Sequence, residues 1–359
     1  MPRAKGSEYM EWAKTRSQAR FNLASSGVAE LPLSALPVRL ADLELTGPSF
    51  YGYPPLQERL AKKAGVSPDC VVAASGTSMA NYLALAAFLE PGDDALVEAP
   101  AYGPLVDAAS YLGAAVRRFP RRAEAGFGID PSDVEEALTP RTRVVVLSNL
   151  HNPSSALVDE AALRRIGEAA GRVGARVVVD EVYLDSLFER TPRSAFFLDP
   201  ERFVITSSLT KVYGLGGLRC GWILADPATT HRLWRLNDLF ASVPPHATER
   251  LAIVALDHLD IAAARAKALL DGNRAVLQRF FEGRAELEVP PLQAGMTAFP
   301  RLRRGSVEAL CTRLREEHDT TVVPGRFFGL DDHFRVSYGC RPEVLAGGLD
   351  RLGAALDEL

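Results

Sequence analysis

The residues best suited to chemistry lie in one stretch, Ser207-Ser208-Leu209-Thr210-Lys211-Val212-Tyr213-Gly214-Leu215-Gly216-Gly217-Leu218-Arg219-Cys220-Gly221-Trp222. A single lysine follows a cluster of hydroxyls, three glycines come just beyond it, and an arginine stands eight positions on. In so apolar and glycine-rich a segment, Lys211 suits a buried amine of lowered pKa that acts as a nucleophile or forms a Schiff base. The hydroxyls and Arg219 suit a phosphate, and the glycines let backbone N–H groups come close to it. Taken alone, the stretch also fits a solvent-facing lysine beside a flexible turn.

Four further stretches follow strand-like runs. Val177-Val178-Val179-Asp180-Glu181-Val182-Tyr183 ends a buried run in an acid, with a tyrosine three residues later. A carboxylate at the carboxyl end of a parallel strand points into the crevice where α/β proteins bind ligands; a magnesium ligand or a helix N-cap would look the same. Ser148-Asn149-Leu150-His151-Asn152-Pro153-Ser154-Ser155 is a polar loop with amide donors, or only a turn at Asn152-Pro153. Ser75-Gly76-Thr77-Ser78 opens a helix with hydroxyls, a place for an anion or a plain N-cap. Pro100-Ala101-Tyr102 sets an aromatic after another strand end.

These stretches need a sheet to position them. From about residue 55 to about residue 240, short apolar runs alternate with amphipathic segments, the pattern of βα units around a mostly parallel sheet. Strands are expected at Val71 to Ala74, Ala95 to Glu98, Ala115 to Phe119, Val144 to Ser148, Val177 to Asp180 and Phe203 to Thr206. Helices are expected at Tyr9 to Arg20, Leu56 to Ala64, Ser78 to Leu89 and about 131–138, 159–174 and 227–240. The last third changes character. One helical tract over 246–283, a strand at Thr297 to Leu302, a helix at 306–317, strands near Thr320 to Val323 and Phe334 to Tyr338, and a helix at 342–357 make an α+β grouping. Pro244-Pro245 marks the break. The expected division is therefore 1–45, packing with the small part, then 46–245 and 246–359.

Composition excludes several classes of function. Lys+Arg is 41 against 45 Asp+Glu among 359 residues, with both signs scattered, so no concentrated basic surface offers itself to nucleic acid or to an anionic membrane. No apolar run has the length of a membrane span. Cys70, Cys220, Cys311 and Cys340 are too far apart for a short metal-ligand spacing or a disulfide framework. The start, Met1-Pro2-Arg3-Ala4-Lys5-Gly6, lacks an apolar signal core, so a cytoplasmic location is expected.

In this order and at these strand ends, the five stretches resemble the fold type I pyridoxal-phosphate enzymes, specifically the class I/II aminotransferases related to aspartate aminotransferase, over roughly residues 50–340. The stretch around Lys211 carries the family pattern S-x-[ST]-K followed by G-[LF]-x-G-x-R-x-G. The resemblance implies a large three-layer α/β/α domain with a smaller α+β domain, pyridoxal 5'-phosphate as cofactor, and a homodimer with active sites at the interface.

It also implies roles. Lys211 forms the Schiff base with the cofactor and then carries a proton, while Asp180 pairs with the pyridine nitrogen. Tyr183 and Asn152 bond the ring's phenolic oxygen, and Tyr102 stacks on the ring. Gly76, Thr77, Ser78, Ser208 and Arg219 hold the phosphate. Tyr51, from Phe50-Tyr51-Gly52-Tyr53-Pro54-Pro55-Leu56, reaches the site of a second copy. Arg335, in Phe334-Arg335-Val336-Ser337-Tyr338, clamps the substrate's α-carboxylate, with Asn152, Ser26 and Gly27 also near the substrate.

Three departures stand out. Leu150 and Ser155 replace a proline and a glycine of the family loop, and Gly216 stands where proline is frequent. No second arginine is assignable to a side-chain carboxylate. His151 and Cys220 read as packing or loop residues. The expected activity is amino transfer between an amino acid and a 2-oxo acid by a ping-pong route. The alternative is a lyase, decarboxylase or cyclase using the same residues, because the outcome depends on which Cα bond is aligned with the ring. A non-catalytic sensor is disfavoured because no residues remain for a DNA-binding module.

Overall fold

Runs of β-branched residues buried on both faces make the centre of the molecule. The computed structural model describes residues 4–292 and 294–358. Met1, Pro2 and Arg3, on which part of the amino-terminal reading rests, lie outside the described residues, as do Gln293 and Leu359. Helix α1 (Glu8–Thr15) and the short strand β1 (Phe21–Asn22) come first, then α2 (Pro54–Ala64). The alternating region follows: β2 (Val71–Ser75), α3 (Gly76–Ala86), β3 (Asp94–Ala99), α4 (Gly103–Tyr111), β4 (Ala115–Pro120), α5 (Pro131–Ala137), β5 (Thr142–Ser148), α6 (Glu160–Arg172), β6 (Arg176–Asp180), β7 (Phe203–Ser208), β8 (Cys220–Leu224) and α7 (Pro227–Asn237). The last third holds α8 (His246–Asp257), α9 (Leu259–Glu282), β9 (Leu287–Glu288), β10 (Thr297–Ala298), β11 (Arg301–Leu302), α10 (Val307–Glu317), β12 (Thr320–Thr321), β13 (Val323–Pro324), β14 (Phe334–Ser337) and α11 (Pro342–Asp357).

Seven strands form one sheet in the order β2-β8-β7-β6-β5-β3-β4. β8 runs against both neighbours and the remaining pairs are parallel, so the fold is an α/β sheet covered by helices. Val144 to Val146 and Val177 to Val179 are fully buried, as strands covered on both faces require. Aspartates start the covering helices: Asp159 accepts from the Ala162 N–H at α6, and Asp226 from Ala228 and Thr229 at α7. The parallel strands therefore end along one edge, at Ser75, Ala99, Ser148, Asp180 and Ser208.

Over that edge lies a three-stranded antiparallel sheet, β10-β14-β13, which carries Arg335. The two ends of the chain meet where β1 pairs in parallel with β12, Phe21 opposite Thr320. Helix α8 packs against α2 and β8. Among the described residues, no helix is long and apolar enough to cross a membrane.

Four expectations change. The tract 246–283 is two helices that meet at His258, whose φ −126° and ψ 34° are not helical. The strand at Thr297 to Leu302 is two short strands divided by Phe299-Pro300, since proline offers no N–H to a ladder. The first helix stops at Thr15 rather than Arg20. β8, within the glycine-rich stretch where no strand is expected from sequence, is an interior strand next to the edge strand β2.

Candidate active site

Three of the strand ends open onto a cavity of about 470 Å³ that contains most of the residues singled out above. At one end it is built for a phosphate. Thr77 and Ser78 sit in the first turn of α3, where N–H groups lack helical partners. Arg219 is in the left-handed conformation at φ 48° and donates to the carbonyls of Gly216 and Ser75. Ser208 Oγ accepts from the Thr210 N–H. The Thr77 and Thr210 hydroxyls are buried with no hydrogen-bond partner. Gly76 is required here twice over: its φ is +77°, and a methyl at this position would overlap the Arg219 guanidinium. Two orphaned hydroxyls, a guanidinium and a helix N-terminus fit the phosphate of the implied cofactor.

The Lys211 amine lies across the cavity and donates to Ser26 Oγ at 2.9 Å. Its own carbonyl accepts from Val28, so the Ser26-Gly27-Val28 turn runs along the lysine, and Gly27 packs on its backbone. Burial lowers the amine to about 8; the charge of Arg335 adds to the shift and Asp180 opposes it. Asp180 ends β6, and burial pushes its carboxyl up to about 6. Asn81 Nδ2 donates to its Oδ2 at 2.9 Å and the Val182 N–H to its Oδ1 at 3.0 Å. Tyr183 is buried beside them, and burial raises its pKa while Arg335 and a hydrogen bond from Ser26 pull the other way. Asp180 and Lys211 line the same cavity, and their chemistry suits the pyridine nitrogen and the aldehyde of the implied cofactor.

Arg335 is fully buried on β14. Its Nη1 donates to Asn152 Oδ1 at 2.9 Å, and its Nη2 to the Tyr9 hydroxyl at 3.0 Å and the Ala24 carbonyl at 2.8 Å. Its Nε is buried without a partner. Tyr9 comes from α1 and meets Tyr102 edge to face, with centroids 5.4 Å apart; Tyr102 in turn donates to Met10 Sδ. Helix α1 thus roofs the site, with Met10 and Lys14 on the cavity wall.

The departures in the loop after β5 are compensated in place. Ser155 holds φ 62° where glycine would be easy, and its hydroxyl donates to the Thr297 carbonyl. It occupies the space that a side chain at Gly295 would fill. Leu150 is fully buried. His151 braces the loop through Pro100 O and Ser154 Oγ, and burial beside the Arg121 charge keeps it neutral. Burial pushes the Cys220 thiol up to about 12, so it is not a nucleophile.

The structure therefore brings together Thr77, Ser78, Tyr102, Asn152, Asp180, Tyr183, Ser208, Lys211, Arg219 and Ser26 around one cavity, with Gly76, Gly27 and Arg335 in contact with that lining. Tyr51 is elsewhere: it is exposed, accepts from Arg235 Nη1 and donates to Asp238 Oδ2. Sequence reasoning missed Asn81, Thr210, Tyr9 and Met10. Asn81 leaves one signal, a buried amide in the otherwise apolar helix α3.

The profile described as "Aminotransferase class I and II" matches residues 41–352. Capreomycidine synthase of Streptomyces vinaceus is 34% identical, covering 97% of this chain and 92% of that one. A solved PLP-dependent aminotransferase from Streptococcus suis superposes with a TM-score of 0.91 at 26% identity, over 99% of this chain and 98% of that one. The solved PLP-dependent cyclase OrfR gives a TM-score of 0.86 at 28% identity, over 100% and 98%.

Proposed function

The chain belongs to the class I and II aminotransferase family, whose members depend on pyridoxal phosphate, and from that premise we propose that it is an amino-acid cyclase. The observation that carries this reading is the 34% identity to capreomycidine synthase over nearly the full length of both chains. OrfR supports it from the structural side. Amino transfer between an amino acid and a 2-oxo acid, the first expectation from sequence, becomes the second reading, favoured by the Streptococcus suis enzyme.

Both readings use the same residues. When bound, the cofactor supplies an electron sink for negative charge developing at the substrate's Cα. Thr77, Ser78, Thr210, Ser208 and Arg219 would hold its phosphate, with Gly76 leaving room for the guanidinium. Asp180, oriented by Asn81, would keep the ring nitrogen protonated, and Asn152 and Tyr183 would bond the ring oxygen. Lys211 would carry the proton away from Cα and deliver it again, to the substrate in the cyclase reading and to the cofactor in amino transfer, a task suited to an amine with a pKa near the working pH. Arg335 and Asn152 would hold the carboxylate, fixing which bond at Cα stands across the ring. Tyr9, Met10 and Lys14 of α1 would cover the site from above.

Incubation of the purified protein with amino acids that carry both a leaving group at Cβ and a side-chain amine or guanidine, each with and without a 2-oxo acid, separates the two readings. A cyclase converts one of them without acceptor into a ring that keeps its α-nitrogen, the Cβ leaving group departing with its electron pair and the side-chain nitrogen taking its place. Product that forms only in equal amount with a new amino acid from the acceptor would replace this reading with amino transfer.

A further inference from the structure

Beneath the cavity floor lies a buried ion pair that none of the roles above uses. Glu98, at the end of β3, and Arg121, just after β4, meet at 2.7 Å with neither side chain exposed. Glu98 Oε1 accepts from both the Ser148 N–H at 2.9 Å and the Ser148 hydroxyl at 2.6 Å. With its proton given to the carboxylate, Ser148 Oγ accepts from the backbone N–H of Asn152 at 3.1 Å. Asn152 Oδ1 accepts from Arg335.

Glu98 thus holds Ser148, and Ser148 Oγ anchors the Asn152 backbone whose side chain meets Arg335. The guanidinium, which can only donate, settles the orientation of the Asn152 amide. With Oδ1 turned to Arg335, Asn152 has its two Nδ2 hydrogens left over, and Nδ2 makes no hydrogen bond among the described residues although the side chain lines the cavity. We propose that Glu98, held by Arg121, is a positioning residue: through Ser148 it fixes the backbone of Asn152, and so places the amide that meets Arg335 with Oδ1 and offers its N–H to the cofactor's ring oxygen. The proposal rests on the reading of the site given above, but not on the choice between cyclase and aminotransferase.

A neutral amide at position 98 breaks the pattern. In Glu98→Gln, either the new NH₂ opposes the Ser148 N–H or it opposes the Arg121 guanidinium, and in either case a donor faces a donor. Ser148→Ala removes the middle link and leaves the Glu98–Arg121 pair intact.

The test is the pH midpoint of the visible absorption band of the cofactor-loaded protein, read for the parent, Glu98→Gln, Ser148→Ala, Asn152→Ala and the double variant Glu98→Gln/Asn152→Ala. Loss of a well-aimed N–H donor leaves more negative charge on the ring oxygen, so the adjoining nitrogen keeps its proton to higher pH. All three single variants are expected to raise the midpoint, and kcat/KM for the substrate should fall roughly ten- to a hundredfold. The double variant should shift no further than Asn152→Ala alone. Ser148→Ala or Glu98→Gln loading cofactor with the parent midpoint, or effects that add fully to Asn152→Ala, would overturn the proposal and reduce the pair to a fold-stabilising role. If Glu98→Gln does not fold, the Ser148→Ala midpoint decides alone. A parent protein that takes up no cofactor would overturn the reading of the site and this proposal with it.

Discussion

At the scale of single residues, Lys211 is an amine made reactive by where it is buried. On the proposed reading, replacing it with alanine would remove both the attachment point and the proton carrier, so turnover should drop by at least about a thousandfold. Borohydride treatment of the parent should bleach the visible band and label Lys211 alone; label on another lysine would contradict the assignment. The amine's value of about 8 gives a second outcome, measured as the rate of cofactor capture by the stripped protein. The neutral amine is the attacking form, so the rate should rise about tenfold per pH unit below about pH 8 and flatten above it. A rate flat across that range would show that the lysine is not the group that attacks. Lys211, Asp180, Ser208 and Arg219 were legible in the sequence because each closes or follows an apolar strand, where chemistry collects in α/β proteins. Thr210 stood inside the same motif, but its lack of a partner became visible only once its neighbours were placed. Tyr9 and Met10 come from a helix far from every motif, and nothing local marks a roof contact.

At the scale of elements, the phosphate end depends on backbone packed against backbone. Gly221 in β8 abuts Gly76 at the start of α3 so closely that a methyl has no room, whereas Gly217, a few residues earlier, faces open space. Gly221→Ala should therefore cost roughly 1–3 kcal/mol of stability and weaken cofactor binding, with Gly217→Ala changing neither by a comparable amount. Thermal unfolding with and without cofactor reads both effects; equal behaviour of the two variants would contradict the close-packing argument. Most parallel strands were evident from their β-branched runs. β8 was not, since Cys220-Gly221-Trp222 lacks that pattern and its place is fixed by pairing with β2 and β7. The helical tract after Pro245 gave no sign of its break at His258. With α8 lying against α2, we place the division between the two parts of the chain at His258 rather than near residue 245, as a proposal.

At the scale of the whole molecule, several large apolar side chains remain on the surface. Leu40, Leu45, Phe50 and Leu239 each keep more than three-quarters of their surface exposed. Phe50 adjoins Tyr51, which bonds Arg235 and Asp238, and Asp238 precedes Leu239. We propose that this surface pairs two copies and that Tyr51 serves the second copy's site. Phe50→Glu with Leu239→Glu should convert a dimer into monomers in light scattering and depress turnover; a monomeric parent would refute the pairing. The opposite ends of the chain meet within one copy, where β1 lies beside β12. That parallel pairing has a consequence for biosynthesis. The contacts around the site reach from Tyr9 to Arg335, so a growing chain on the ribosome can shape its central sheet early but cannot pin Arg335 against Tyr9 and Asn152 until β14 has emerged. The hold on a substrate carboxylate is therefore the last part of the site to form.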